Sequence, residues 1–370
     1  MDAKTVWIWA LSGVSVLLVS SAIFFITLPP SQRNDALPYR PQLVNETTSP
    51  SSPATKPSST ATDALTHTGT APFVITTMTH MEGNFKDDVD QNLFTKHVSD
   101  MRWAMELFDE YGAKLTFESE QSFAKANINW DVNILQEVID NGHGVGTHGD
   151  FGAAKTTTIE SLTADFIENK GLIDGLVGAE NNQGVSGGTG PADWILGAAA
   201  AGFSYYDAVT GFGYLSMPLD ARPDGWTNSY IAQTAYHDPI PPNLRDRMYP
   251  IPLKDAKDFV ADSEPVIVVM GGDIGELSSL AEGRSTCTPD CALDASDITV
   301  ITNSIDQILA ERDTSRFAKI NFHIPLNLLQ EKNETLLRSM LYEIKAYTDT
   351  ESLSWDTQLG AYEQYVRWGK

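Results

Sequence analysis

Two histidines and an aspartate stand among five glycines in NGHGVGTHGDFG, residues 141–152. Imidazole and carboxylate are good zinc ligands, and a third oxygen donor would complete an open hydrolytic site. His148 and Asp150 are the candidates within this stretch. Glu82, directly after the apolar run FVITTMTH and Met81, is the third. A divalent cation held by three side chains keeps a position for water and lowers that water's pKa towards neutrality. The glycines at 142, 144, 146 and 149 allow turn geometry and close backbone approach, so they can present His148 and Asp150 where a strand ends.

Such residues act only if secondary structure brings them together. FVITTMTH, from Phe73, has strand composition. Leu93, His97, Met101, Ala104, Met105 and Phe108 fall on one helical face, and Gly112 ends that helix. AKLTF (113–117) is a predicted strand, 131–140 a helix stopped at Asn141-Gly142, and HGVGT the next strand. Helices are expected near 159–177 and 191–201, strands at 203–207, 265–270 and 319–323, and a last long helix near 329–347. Alternation of this kind predicts a parallel α/β sheet, open or closed into a barrel. Active sites of such folds gather at the carboxyl ends of the strands. Those ends carry His80 and Glu82, then Glu118, His148 and Asp150, Asp273, and His323.

The rest of the chain bounds where this chemistry takes place. With 370 residues, 42% of them hydrophobic, it can bury a sizeable core, and its formal net charge of −24 repels nucleic acid. After a short flank (1–5), residues 6–28 are uncharged and apolar, and as a helix would rise about 35 Å, enough to span a bilayer. They are expected to be an uncleaved signal anchor, with the globular part outside the cytoplasm, periplasmic or extracellular. Residues 29–71, rich in Pro, Ser and Thr, are an expected flexible stalk in which His67 has no role. The catalytic domain is expected over 72–370. Cys287 and Cys291, in CTPDC, suit a small disulfide loop in an oxidising compartment.

The order of these segments resembles the polysaccharide deacetylases, the NodB-like carbohydrate esterases of family four. THMEG stands where that family has a strand ending in paired acids and glycine. YGAKLTF is similar to its second strand, and NGHGVGTHGDFG to its histidine motif. FSYYDAVTG and KINFHIPLN stand where its later strand and terminal histidine motif fall. The resemblance covers nearly all of 73–370. It implies a distorted (β/α) barrel, a divalent metal (usually zinc), and removal of N-acetyl groups from a polysaccharide or amino-sugar glycan. Carried over residue by residue, it implies His80 as catalytic base, Glu82 and His148 as metal ligands, and His323 as general acid. An alternative register would put Met81 at the base position. Gly152 stands where the family has its second metal histidine, leaving Asp150, His80 or water as the third ligand. The family's arginine motif is replaced by VSGGTGPADW, in which Asp193 is a candidate orienting group.

Two other functions fit the same residues: a carbohydrate-binding protein on a barrel that has lost catalysis, and a metal-free glycoside hydrolase using two carboxylates such as Glu82 and Asp273. Several groups have plainer roles open to them. His143 can bond backbone, His97 can be a satisfied core histidine, Asp150 can cap a helix or turn, and Glu118 in ESEQ can belong to a solvated turn. His237 and Asp238, in AYHDPIPP, can cap the site or lie on a surface loop. Tyr205, Tyr206, Tyr214 and Trp355 suit the core better than a sugar platform.

Overall fold

β1 (Phe73–Met81) forms where the sequence is β-branched and apolar, and every residue of it except His80 is buried. A computed structural model describes residues 69–82, 86–149, 158–277 and 293–369. The further strands are β2 (Thr116–Ser119), β3 (Gly144–Gly149), β4 (Gly184–Gly187), β5 (Tyr205–Tyr206), β6 (Ile251–Leu253), β7 (Ile267–Val269), β8 (Asp273–Glu276), β9 (Ala318–His323) and β10 (Ser354–Trp355). They lie in the order β6-β7-β5-β4-β3-β2-β1-β9-β8, with β10 also on β1. β6 and β7 pair antiparallel. The other pairings are parallel.

Parallel neighbours need crossovers, which helices supply. These are α1 (Gln91–Asp109), α2 (Gln121–Asn129), α3 (Ile134–Asp140), α4 (Ile159–Val177), α5 (Trp194–Ala200), α6 (Asn228–Tyr230), α7 (Leu244–Arg247), α8 (Ala295–Glu311), α9 (Glu334–Asp349) and α10 (Gln358–Trp368). Local chemistry sets their ends. The Asp90 side chain accepts from the N–H groups of Asn92 and Leu93 at the start of α1, and Gly112 adopts a φ of 68° just beyond its end. Asp294 and Asp297 form a reciprocal capping box on α8.

The expected α/β architecture is present, as a curled part-barrel rather than a regular (β/α) barrel. Its β6 edge strand is antiparallel, and β10 branches from β1. The curl brings distant strands together: Lys319 N–H in β9 donates to Met248 O, just ahead of β6, at 2.9 Å. The outward faces of the strands, including Ile75, Phe117, Val145, Ile320 and Phe322, pack on Met101, Met105, Phe108, Ile305, Met340 and Ile344 of the helices. The last long helix starts later than expected, at Glu334, and is followed by β10 and α10, which no periodicity announced.

Ala71, assigned above to the stalk, is buried, and its N–H donates to Thr314 O at 2.7 Å. Among the described residues no helix is long and apolar enough to cross a membrane. The segment 6–28, the stalk up to residue 68, Asp150, and the Cys287–Cys291 loop lie outside the described residues.

Candidate active site

Side chains alternate along a strand, so residues two apart share a face. On β1 the inward set includes Thr76 and His80, on β2 Glu118, and on β3 Gly144, Gly146 and His148. On β4 it is Gly184 and Ser186, and on β9 Lys319, Asn321 and His323. Register then aligns them: His80 pairs with Glu118, Glu118 with Gly146, and His148 with Ser186. His80, Glu118, His148, Ser186 and His323 come from the carboxyl-terminal halves of their strands, as the parallel-strand rule required.

This arrangement explains the glycines of the opening stretch. Gly142 has a φ of 73° and makes the turn after α3. Gly146 serves differently: a Cβ there would sit 3.1 Å from Glu118 Cγ and 3.8 Å from Asp207 Oδ2. A side chain at 146 would crowd Glu118, which would have to shift by a few tenths of an ångström.

At the mouth of the curled sheet the imidazoles of His80 and His148 stack with centroids 3.7 Å apart, and those of His80 and His323 at 4.2 Å. Glu118 Oε2 lies 3.2 Å from His80 Nε2. Ser186 Oγ donates to Glu118 Oε2 in a short hydrogen bond. Ser186 Oγ also lies 2.8 Å from His148 Nδ1 and 3.3 Å from His80 Nε2. His80, Glu118 and His148 each offer a ligand atom, all within 4.8 Å of one another, and could hold a metal ion.

Burial shapes the charge here. It pushes His80 down to about 3, with His237 adding to the effect, even though 14% of the His80 side chain still reaches solvent. Burial, then neighbouring histidines, also lowers His148 and His323 well below the usual imidazole range. The three are therefore neutral at pH 7, the form that ligates metals. Beneath them, burial raises Glu118 and, further, Asp207, whose proximity to Glu118 adds to the rise. Lys319 is fully buried between these acids, donates from Nζ to Asp207 O at 3.0 Å, and is lowered to about 8 by desolvation. His323 Nε2 is buried without a protein partner, and the Glu118 carboxyl also hydrogen-bonds that of Asp207. Neutral imidazoles, one with an unsatisfied nitrogen, a buried carboxyl and converging ligand atoms together fit a divalent cation.

The structure gathers three of the five predicted site residues, His80, His148 and His323. Glu82 stands further out, half-buried, with Oε1 4.0 Å from His80 Nδ1. The carboxylate beside His80 and His148 is instead Glu118, whose solvated-turn role is overturned: its side chain is completely buried in β2. Asp273 begins β8 rather than ending β7. Its carboxyl accepts from Gly275 N–H at 3.1 Å and lies 3.4 Å from Asn321 Nδ2, inside the sheet. Asp193 caps α5 by accepting from Leu196 N–H. His143 accepts from Leu115 N–H, and His97 pairs with Asp87 at 2.7 Å, both in the plainer roles foreseen. Tyr205, Tyr206 and Tyr214 are core residues. His237 acts electrostatically on all three site histidines, which puts its loop near the mouth.

Ser186, Asp207 and Lys319 were not singled out from the sequence. A signal for one of them exists. In KINFH the polar residues alternate with apolar ones, and all but the half-buried His323 are buried, the pattern of a strand with helices outside and a polar interior.

A scan against protein-family models finds no match, and neither does a search of curated proteins. Solved structures do show likeness. A protein from Parabacteroides distasonis, provisionally described as a glycoside hydrolase/deacetylase, aligns over 80% of this chain and 72% of its own, at 12% identity and a TM-score of 0.50. One from Mycobacterium smegmatis, provisionally described as a polysaccharide deacetylase, aligns over 82% and 93%, at 12% identity and 0.49. The 4-alpha-glucanotransferase of Thermococcus litoralis aligns over 80% and 40%, at 14% identity and 0.46. The first of these establishes a shared fold, the one that the sequence resemblance implied.

Proposed function

We propose that the folded region is a metal-dependent hydrolase that removes N-acetyl groups from an amino-sugar glycan and is held outside the cytoplasm by the apolar 6–28 segment. The observation that carries this reading is the convergence of His80, Glu118 and His148 at the ends of adjacent parallel strands, with ligand atoms within 4.8 Å. The carbohydrate substrate class is supported by the fold shared with the Parabacteroides protein.

His80, Glu118 and His148 would hold the cation, and their mixed nitrogen and oxygen donors suit zinc. Bound there, the ion would supply Lewis acidity towards a water and the acyl carbonyl. Two roles implied by the resemblance change places in this reading. An imidazole at about 3 takes protons poorly at neutral pH, so His80 is a ligand and not the base. Glu82, nearer solvent and 4.0 Å from His80, takes the proton that the attacking water must lose. The departing amine must gain one. That proton is the one Glu82 removed from the water, and Glu82 returns it to the amine. His323, stacked on His80 and held neutral by burial, lines the same mouth.

Metal content and acetate release from N-acetylglucosamine oligomers test this together. Full-length protein should carry stoichiometric divalent metal and release acetate, and His148→Ala should lose both. Acetate release that persists in metal-free protein would overturn the proposal. Oligomer binding with neither metal nor acetate would leave a carbohydrate-binding protein. Chelator-insensitive cleavage between sugars would favour a glycoside hydrolase. Protease added to intact cells should reach the folded region if the orientation is as proposed.

A further inference from the structure

A serine hydroxyl sits among the three candidate donors His80, Glu118 and His148. Ser186 is 2% exposed and lies on β4 directly opposite His148 in register. Its Oγ touches all three members of the cluster: His148 Nδ1 at 2.8 Å, His80 Nε2 at 3.3 Å, and Glu118 Oε2 in a short hydrogen bond. His80 Nε2 and Glu118 Oε2 are themselves 3.2 Å apart.

Two of these separations, 3.3 Å from Ser186 Oγ and 3.2 Å from Glu118 Oε2 to His80 Nε2, match the edges of a coordination shell. Four donors at ordinary zinc–nitrogen and zinc–oxygen lengths form a tetrahedron with edges of about 3.4 Å. The Ser186 hydroxyl reaches all three candidate donors, at ligand spacing from His80 Nε2 and at hydrogen-bond distance from His148 Nδ1 and Glu118 Oε2. The backbone holds it there. Gly187, the next residue, has a φ of 67°, and a Cβ on it would come within 2.9 Å of His148 Cε1 and 2.8 Å of Gly149 O. Only glycine lets β4 approach β3 so closely at this level.

We infer that Ser186 Oγ is the fourth protein ligand of the cation, completing a set with His80, Glu118 and His148; the inference rests on the metal reading of this site. Its lone pair would face the ion. Its proton would stay with the Glu118 carboxyl, to which it is now given. With four protein donors in place, the reacting water would take a fifth position, so the site would favour ions that accept more than four ligands, as zinc can and as cobalt(II) and manganese(II) do readily.

The test replaces zinc by cobalt(II), whose absorption reports its ligands. Full-length wild type, S186C and S186A are each titrated with cobalt. If position 186 binds the ion, S186C retains cobalt and gains an intense near-ultraviolet thiolate-to-cobalt charge-transfer band absent from wild type. S186A should bind about tenfold or more weakly and show an altered visible spectrum. Cobalt bound by S186C without the new band, or S186A binding with wild-type affinity and spectrum, overturns the inference while leaving the metal site standing. Should S186C fail to fold, the S186A affinity and spectrum decide alone. Wild type that binds neither cobalt nor zinc overturns the metal reading itself, and this inference with it.

Discussion

On β9, Ile320 and Phe322 point outward into the helices, while Lys319, Asn321 and His323 point into the curled sheet. Lys319, Asn321, Ile320 and Phe322 are all fully buried, yet one pair is apolar and the other carries a charge and an amide. Burial alone therefore does not dictate residue type in this molecule. The outward face meets helices that offer only hydrocarbon. The inward face meets polar groups that satisfy it: Asn321 accepts from Thr76 Oγ1 of β1 at 2.9 Å and from Gln358 Nε2 of α10 at 2.7 Å. The outer layer supplies stability, and the inner layer spends part of it to hold neutral imidazoles above a buried acid pair.

Removing an outward group should have the largest effect on stability. Phe322→Ala is expected to cost about 4 kcal/mol in urea unfolding, with metal affinity of the folded protein unchanged. A loss of affinity equal to the loss of stability would show that the two layers are not separable.

Lys319→Met probes the inner layer and should cost about 3 kcal/mol, because Glu118, Asp207 and Asp273 then lack their buried cation. The same unfolding experiment would break the comparison if the variant proved as stable as wild type. The interior charge would then contribute nothing to stability.

The smallest effect depends on pH. An unfolded histidine titrates near 6.5, but folded His80 does so at about 3. As pH falls, the unfolded chain takes this proton first. The contribution of neutral His80 is thus complete above 6.5 and is lost between 6.5 and about 3. In metal-free protein, wild type should lose stability relative to His80→Asn on the order of 1 kcal/mol by pH 5.5. Parallel stability curves for the two proteins between pH 7 and 5 would show that His80 is not held neutral by burial.

Much of the outer layer was legible in the sequence. The period of α1 placed Met101, Met105 and Phe108 on the core face, where they are, and Gly112 marked its end. His80, His148 and His323 were legible as strand-end groups because parallel strands deliver their carboxyl ends to one side. Glu118 was visible but misjudged, since ESEQ is locally polar and nothing near it in the chain says that β1 and β3 close over it. β5 and β10 have two residues each, too few for any alternation to register.

By itself the sequence determined the alternation of strands and helices, the side of the sheet where chemistry could gather, and the residue types able to bind a cation. Those follow from local periodicity and from the direction of parallel strands, which each segment carries within itself. Only the tertiary structure decided which carboxylate joins the imidazoles, that Ser186 stands among them, and that Lys319 lies beneath. Those outcomes depend on register between strands far apart in the chain and on the curl that turns one face of the sheet inward.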